Sequence, residues 1–213
     1  KDLDIWVQFV ELMIKRKSLR FCAKKLKISV TTAFYWRHKI LNGLKADSIP
    51  NKLEGDVHIN KTIIVENFKG CRNITTTKRN NIWVIAAKNK EDSMLVTPAF
   101  EHCWMRPIFY KNIYSKIQKG SYIIPYKDRY ITAVAKEHNK KLRKQIIQRK
   151  EDDRVKFIIM NIMKWFSPFK GIATKYLEEY LSFFILFNLD RVIDYVDIIH
   201  YLSFGNRFIR TKE

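Results

Sequence analysis

The chain has 213 residues, 46% of them hydrophobic, a length that buries a sizeable core and suits two globular parts. Its 41 Lys or Arg against 21 Asp or Glu give a formal charge of +20, too lopsided for an ordinary soluble enzyme of small molecules. A polyanion is the natural partner, nucleic acid ahead of an acidic membrane, because the cations are interleaved with aromatics rather than gathered in one tail.

In chain order, Leu3, Val7, Val10 and Ile14 recur at three- and four-residue spacings, which predicts an amphipathic helix. Ser18 is placed to cap a second short helix with Leu19, Ala23 and Leu26 on one face. Ser29 is placed to cap a third that turns Ala33, Trp36 and Ile40 inward. Two short helices joined by the tight Lys27-Ile28-Ser29 turn predict a helix-turn-helix domain over residues 1–47, whose last helix would enter a DNA major groove. The outward positions of that helix are Thr31, Thr32, Tyr35, His38, Lys39 and Asn42, all able to meet phosphates or base edges. Helical bundles contain such pairs too, but eleven Lys or Arg against three acids between Lys1 and Lys45 favour DNA.

The stretch from Lys45 to Lys52, with Pro50, reads as a linker. VHINKTIIV, NIWVIAAK and SMLVTPAF then predict three antiparallel strands, with a basic loop from Gly70 to Asn80 between the first two. WMRPIFYKNIYSKIQ predicts a helix, SYIIP a short buried strand, and DRYITAVAKEHNKKLRKQIIQ a helix whose later part is strongly basic. VKFIIMNIMKWF and TKYLEEYLSFFILFNL predict two helices separated by SPFKG, and LDRVIDYVDIIHYL a last one. Residues 53–213 therefore read as an α+β body with the element order of an RNase H-like core and extra C-terminal helices, an order that many α+β folds share. Within it, Lys136 to Lys150 hold seven Lys or Arg and one acid, and Lys140, Lys141, Arg143 and Lys144 form a second group suited to phosphates.

Three blocks carry a resemblance to a family: SLRFCAKKLKISVTTAFYWRHKIL, LEGDVHINKT and FKGIATKYLEEYL. Together they resemble the small DDE-type transposases of ISXO-type bacterial insertion sequences, whose eukaryotic relatives are the Merlin transposons. The last block is the most specific, through Phe169, Gly171, Ala173, Thr174, Lys175, Tyr176 and Leu177. The resemblance implies an RNase H-like core that performs two-metal phosphoryl transfer with clustered carboxylates. The family's Val-Glu-x-Asp-Glu-Thr is matched by Val57, His58, Ile59, Asn60, Lys61 and Thr62, so an amide and a cation replace the two acids nearest the metal. The second aspartate, five residues before a tyrosine, falls on Pro125 when counted back from Tyr130. The third region falls on Lys156 to Ile159, mostly apolar. The zinc ribbon that such transposases carry ahead of the helix-turn-helix has no counterpart in these residues.

These substitutions at Asn60, Lys61, Pro125 and Ile159 predict that the metal site is lost, with no catalytic residue, no metal ligand and no cofactor. Lys61 is expected to repel Mg²⁺ directly, and Asp56, Asp128, Glu151, Asp152 and Asp153 to be solvated acids offsetting neighbouring lysines. The expected function is that of a transposase-derived DNA-binding protein that does not cut. The alternative is a scaffold within a larger nucleoprotein or ribonucleoprotein assembly, with RNA as a partner, and a homo-oligomer is compatible with either. An active transposase with a rearranged Mg²⁺ site ranks last. Cys22, Cys71 and Cys103 are too far apart for a disulfide framework or a Cys-x-x-Cys zinc site. The five histidines show no ligand spacing, and adjacent His102 and Cys103 would point apart. Reduced thiols and the lack of an apolar run of membrane-span length predict an intracellular protein without membrane partner, in the cytoplasm or nucleoid, or in the nucleus of a eukaryote. The start at Lys1 suggests a segment of a longer product.

Overall fold

The computed structural model describes residues 3–45, 52–70, 78–90, 93–101, 104–126, 128–142, 153–169, 171–188 and 194–204. They form a mixed α+β structure in two compact units.

The first unit is helical. It gathers α1 (Leu3–Ile14), α2 (Leu19–Leu26) and α3 (Val30–Lys45) with residues 165–172, α7 (Leu177–Asn188) and α8 (Tyr195–Phe204). Both expected serine caps are present: the Ser18 hydroxyl accepts from the Phe21 N–H and the Ser29 hydroxyl from the Thr32 N–H at 2.9 Å. Each satisfies an amide that the first helical turn leaves without a partner. The C-terminal helices, expected to continue the sheet-bearing body, are grouped here instead, because Phe183, Phe184, Ile185 and Leu186 of α7 are buried almost completely and α7 packs chiefly on α3. Trp165 has Phe166, Phe169, Phe183 and Phe184 around it at 5.3 to 5.5 Å between ring centroids, mostly edge to face.

The second unit carries β1 (Asp56–Val65), β2 (Asn81–Lys88), β3 (Met94–Glu101) and β4 (Tyr122–Pro125), with α4 (Arg106–Asn112), α5 (Arg129–Lys141) and α6 (Asp153–Phe166) as far as Lys164. The sheet order is β3-β2-β1-β4: the first three strands are antiparallel neighbours and β4 runs parallel to β1. On one face Val57, Ile59, Ile85, Ala87 and Ile123 pack with Phe109 and Ile113 from the α4 side and Ile131, Val134 and Ala135 of α5. The opposite face is also withdrawn from water, since Val84, Ala86, Met94 and Val96 are all buried. Such two-sided burial explains why β2 reads as a nearly continuous apolar run.

The long helix expected from Trp104 is shorter. After α4 the chain turns into a 3-10 segment, Tyr114–Lys116, and Ile117 forms a bridge to Leu53. The Leu53 N–H donates to the Lys116 carbonyl and the Gln118 N–H to the Leu53 carbonyl, so strand-like pairing displaces the last helical turn. Behind β4, Asn139 accepts from the Ile123 N–H and donates to its carbonyl, while His138 Nε2 meets the Ser121 carbonyl and Nδ1 the Tyr114 hydroxyl. A carbonyl only accepts, so Nε2 carries a proton. These paired contacts tie α5 to β4 and set where its N-terminus falls.

Candidate functional site

The parallel register pairs Ile59 with Pro125, which brings the next residue of β1, Asn60, to the end of β4. Two of the three positions singled out in the sequence are therefore neighbours. β4 stops at Pro125, and where a longer strand would offer the next carbonyl to the Lys61 N–H, the Asn60 Oδ1 accepts it at 2.7 Å. Asn60 is 8% exposed, with its side-chain oxygen committed to the backbone. Ile159, the third position, lies half-buried on α6 in the same unit.

Lys61 behaves differently from the expectation that it stands beside the metal position and repels a cation. The two-residue period of β1 sends its side chain to the opposite face from Asn60, among the rings that border the α4–α5 core. Its Nζ lies 2.7 Å from Asp128 Oδ2, 4.0 Å from the Trp83 ring centroid, 5.4 Å from that of Tyr130 and 5.9 Å from that of Trp104. Trp104 and Tyr130 are stacked at 5.4 Å with their planes 8° apart, and the Arg129 guanidinium covers Tyr130 at 4.6 Å. The charge is thus neutralised and enclosed, and it does not act as a free cation near Asn60.

Asp128 was expected to be a solvated acid and is not. Its side chain is 12% exposed; Oδ1 accepts from the Tyr130 and Ile131 N–H groups as the N-cap of α5, and Oδ2 takes Lys61. The other nearby acid, Asp56, has Lys90 at 3.5 Å. A divalent cation on the Asn60 face of the β1–β4 junction would therefore find an amide whose oxygen is already bonded and a proline ring, with His58 and the Lys90-paired Asp56 two and four residues back along β1 and Asp128 turned to Lys61 on the other face. That donor set does not fit Mg²⁺, which needs several hard oxygens in near-octahedral array. Among the described residues no three His, Cys, Asp or Glu side chains converge. Glu151 and Asp152 lie outside the described residues, as do His102 and Cys103.

In the helical unit, Thr31, Tyr35, Lys39 and Asn42 are exposed along α3, and Tyr35 keeps half of its surface in water. Thr32 is half-buried, its hydroxyl 2.8 Å from that of Ser29. His38 is not an outward residue. Its Nδ1 is 3.1 Å from Glu179 Oε2, and its ring lies 3.9 Å from that of Tyr176 and 4.4 Å from that of Phe34. It is sequestered because α7 covers that side of α3, a neighbour invisible to helix periodicity. Trp36, expected to turn inward, is half-buried and stands edge-on to Phe9 at 5.6 Å. In the second basic group, Lys140 and Lys141 are exposed at the C-terminal turn of α5, where cations also complement the helix dipole, and Arg143 and Lys144 lie outside the described residues.

Sequence reasoning missed Arg37, which is 1% exposed inside the helical unit. Its Nη2 donates to the Lys17 carbonyl at 2.6 Å and approaches Cys22 Sγ at 3.8 Å, and its guanidinium lies 5.3 Å from the Phe169 ring. The signal was present, since Arg37 sits four residues after Ala33 and three before Ile40 on the apolar stripe. Burial pushes the Cys22 thiol and the Tyr180 hydroxyl up, and Arg37 partly opposes both shifts. The motif FKGIATKYL acquires separate physical roles. Phe169 packs on Arg37, Gly171 takes φ of 92°, open to glycine at little cost, and Thr174 exchanges two hydrogen bonds with Asn67 just after β1. No helix among the described residues is long and apolar enough to cross a membrane. Comparison of the chain with protein-family models, curated proteins and solved structures finds no match.

Proposed function

We propose that this chain is a DNA-binding protein of DDE-transposase ancestry, with α2 and α3 as a helix-turn-helix and the sheet unit as an RNase H-like core that no longer cuts. The observation that carries the reading is the β1–β4 junction. A sheet of order β3-β2-β1-β4, with β4 alone parallel to its neighbour, sets Asn60 beside Pro125, and these are two positions at which the resemblance implies metal-binding carboxylates, which supports the reading. The formal charge of +20 and the exposed Thr31, Tyr35, Lys39 and Asn42 on α3 support duplex DNA as the ligand.

The test is fluorescence anisotropy of the full chain with labelled duplex DNA over a range of salt, alongside a nicking assay with Mg²⁺ or Mn²⁺. Binding falls steeply with salt, and Tyr35→Ala with Lys39→Ala weakens it and lowers the salt slope by about 0.9 for the lysine. An unchanged affinity and slope in that double variant would remove α3 from the interface. Metal-dependent nicking abolished by Asp56→Ala or Asp128→Asn in a folded protein would overturn the loss of catalysis. A scaffold role has one observation in its favour: Met160 and Met163, one turn apart on α6, are both largely exposed. Concentration-dependent self-association lost in Met160→Lys with Met163→Lys would favour it.

A further inference from the structure

The α2 helix carries a second surface that the proposed α3 interface does not use. Its inner face is Cys22, Ala23 and Leu26, all buried. On the outer side Phe21 stands four residues before Lys25 and Arg20 four before Lys24, while Lys17, just ahead of the helix, stands four before Phe21; all five are exposed. Among the described residues none of these four cations is paired with a carboxylate. Phe21 sits in the middle of them, 47% exposed, with the Lys17 ammonium 5.4 Å from its ring centroid.

From this arrangement we infer that the outer face of α2 binds single-stranded nucleic acid, with Phe21 as a stacking platform for a base and Lys17, Arg20, Lys24 and Lys25 along the phosphates. A duplex shows a protein surface its phosphates and sugars, with the base faces stacked away, so it offers a flat apolar ring little to pack on. A single strand exposes base faces, and aromatic rings set among cations bind it without regard to sequence. The patch is fully cationic apart from the ring, which matches a polyanion and disfavours a protein partner whose apolar anchor would leave four ammonium or guanidinium groups without counter-charge. The inference rests on the proposed reading only for the class of ligand, because it assigns a different helix and a different form of nucleic acid.

The experiment is anisotropy of the full chain with a labelled oligothymidylate and, in parallel, with a duplex, for the wild type, Phe21→Ala, Phe21→Trp, Lys24→Ala with Lys25→Ala, and Tyr35→Ala with Lys39→Ala. Circular dichroism establishes that each variant is folded. Phe21→Ala is expected to weaken single-strand binding about tenfold and leave duplex binding unchanged, while Phe21→Trp retains or strengthens it. Removing Lys24 and Lys25 lowers the single-strand salt slope by about 1.4. Equal single-strand affinity in wild type and Phe21→Ala, an equal loss for duplex and single strand, or a change in self-association alone would each overturn the inference. The Tyr35 and Lys39 variant, read on the duplex, reports on the α3 interface independently, so either surface can fail without the other.

Discussion

Arg37 in the helical unit and Lys61 in the sheet unit are both cations withdrawn from water, yet their surroundings have little in common. Arg37 is held by neutral groups: a carbonyl, a thiol and a phenyl ring, with its Nε lacking a hydrogen-bond partner. Lys61 has a carboxylate at 2.7 Å and three aromatic rings, and keeps 13% of its side chain in water. The difference follows from the ions. A guanidinium spreads its charge over a plane, is weakly hydrated and stacks on rings, so dipoles and a π-face suffice to bury it. An ammonium is a compact, strongly hydrated charge, and withdrawing it calls for a counter-ion. The helical unit thus uses its buried cation as a brace between α3, the turn that joins α1 to α2 and the Phe169 ring, whereas the sheet unit uses its own to fasten β1 to the capped start of α5.

Breaking the sheet-unit pair should cost most. Asp128→Ala removes the α5 cap and leaves Lys61 without a counter-charge, and a loss of about 4 kcal/mol in urea denaturation is expected. In Lys61→Met with Asp128→Asn the loss should be much smaller, because the amide still caps the helix and neither charge remains. A double-mutant cycle that found the two losses additive would show that the pair is not coupled.

Arg37→Ala should cost about 3 kcal/mol through a cavity and two unsatisfied acceptors, and Arg37→Lys nearly as much because an ammonium there has no counter-ion. Arg37→Met, by contrast, fills the space without a charge and should lose least. If the lysine variant proved as stable as the wild type, the contrast drawn between the two ions would fail. The smallest effect concerns pH. Burial raises Cys22 above its usual 9.0 and Tyr180 above its usual 10.0, so the unfolded chain releases these protons first and binds fewer than the folded one. Stability therefore falls as pH rises above about 9, and Tyr180→Phe should flatten the upper part of that fall, read as urea midpoints from about pH 8 to about pH 11.

How far the site was legible is clearest at single residues. Ser18 and Ser29 act as caps, which depends only on residues within one turn of them. The four strands and the helices near 3–45 and 177–204 follow from apolar spacing, since period and length are local properties. Asn60 and Pro125 were singled out separately, through the resemblance to a family, and their proximity comes only from the register that pairs Pro125 with Ile59. His38, Asp128 and Lys61 were each misplaced because their partners are distant in the chain: Glu179 for His38, and each other for Lys61 and Asp128.

The sequence by itself determined the α+β character, the basic surplus and the places where helices begin, because these depend on composition and on contacts within a few residues. Only the tertiary structure decided which charges are available. Burial and pairing are set by neighbours that the fold brings from far along the chain, and they turned His38 and Lys61 inward while leaving Phe21 and its ring of cations in water.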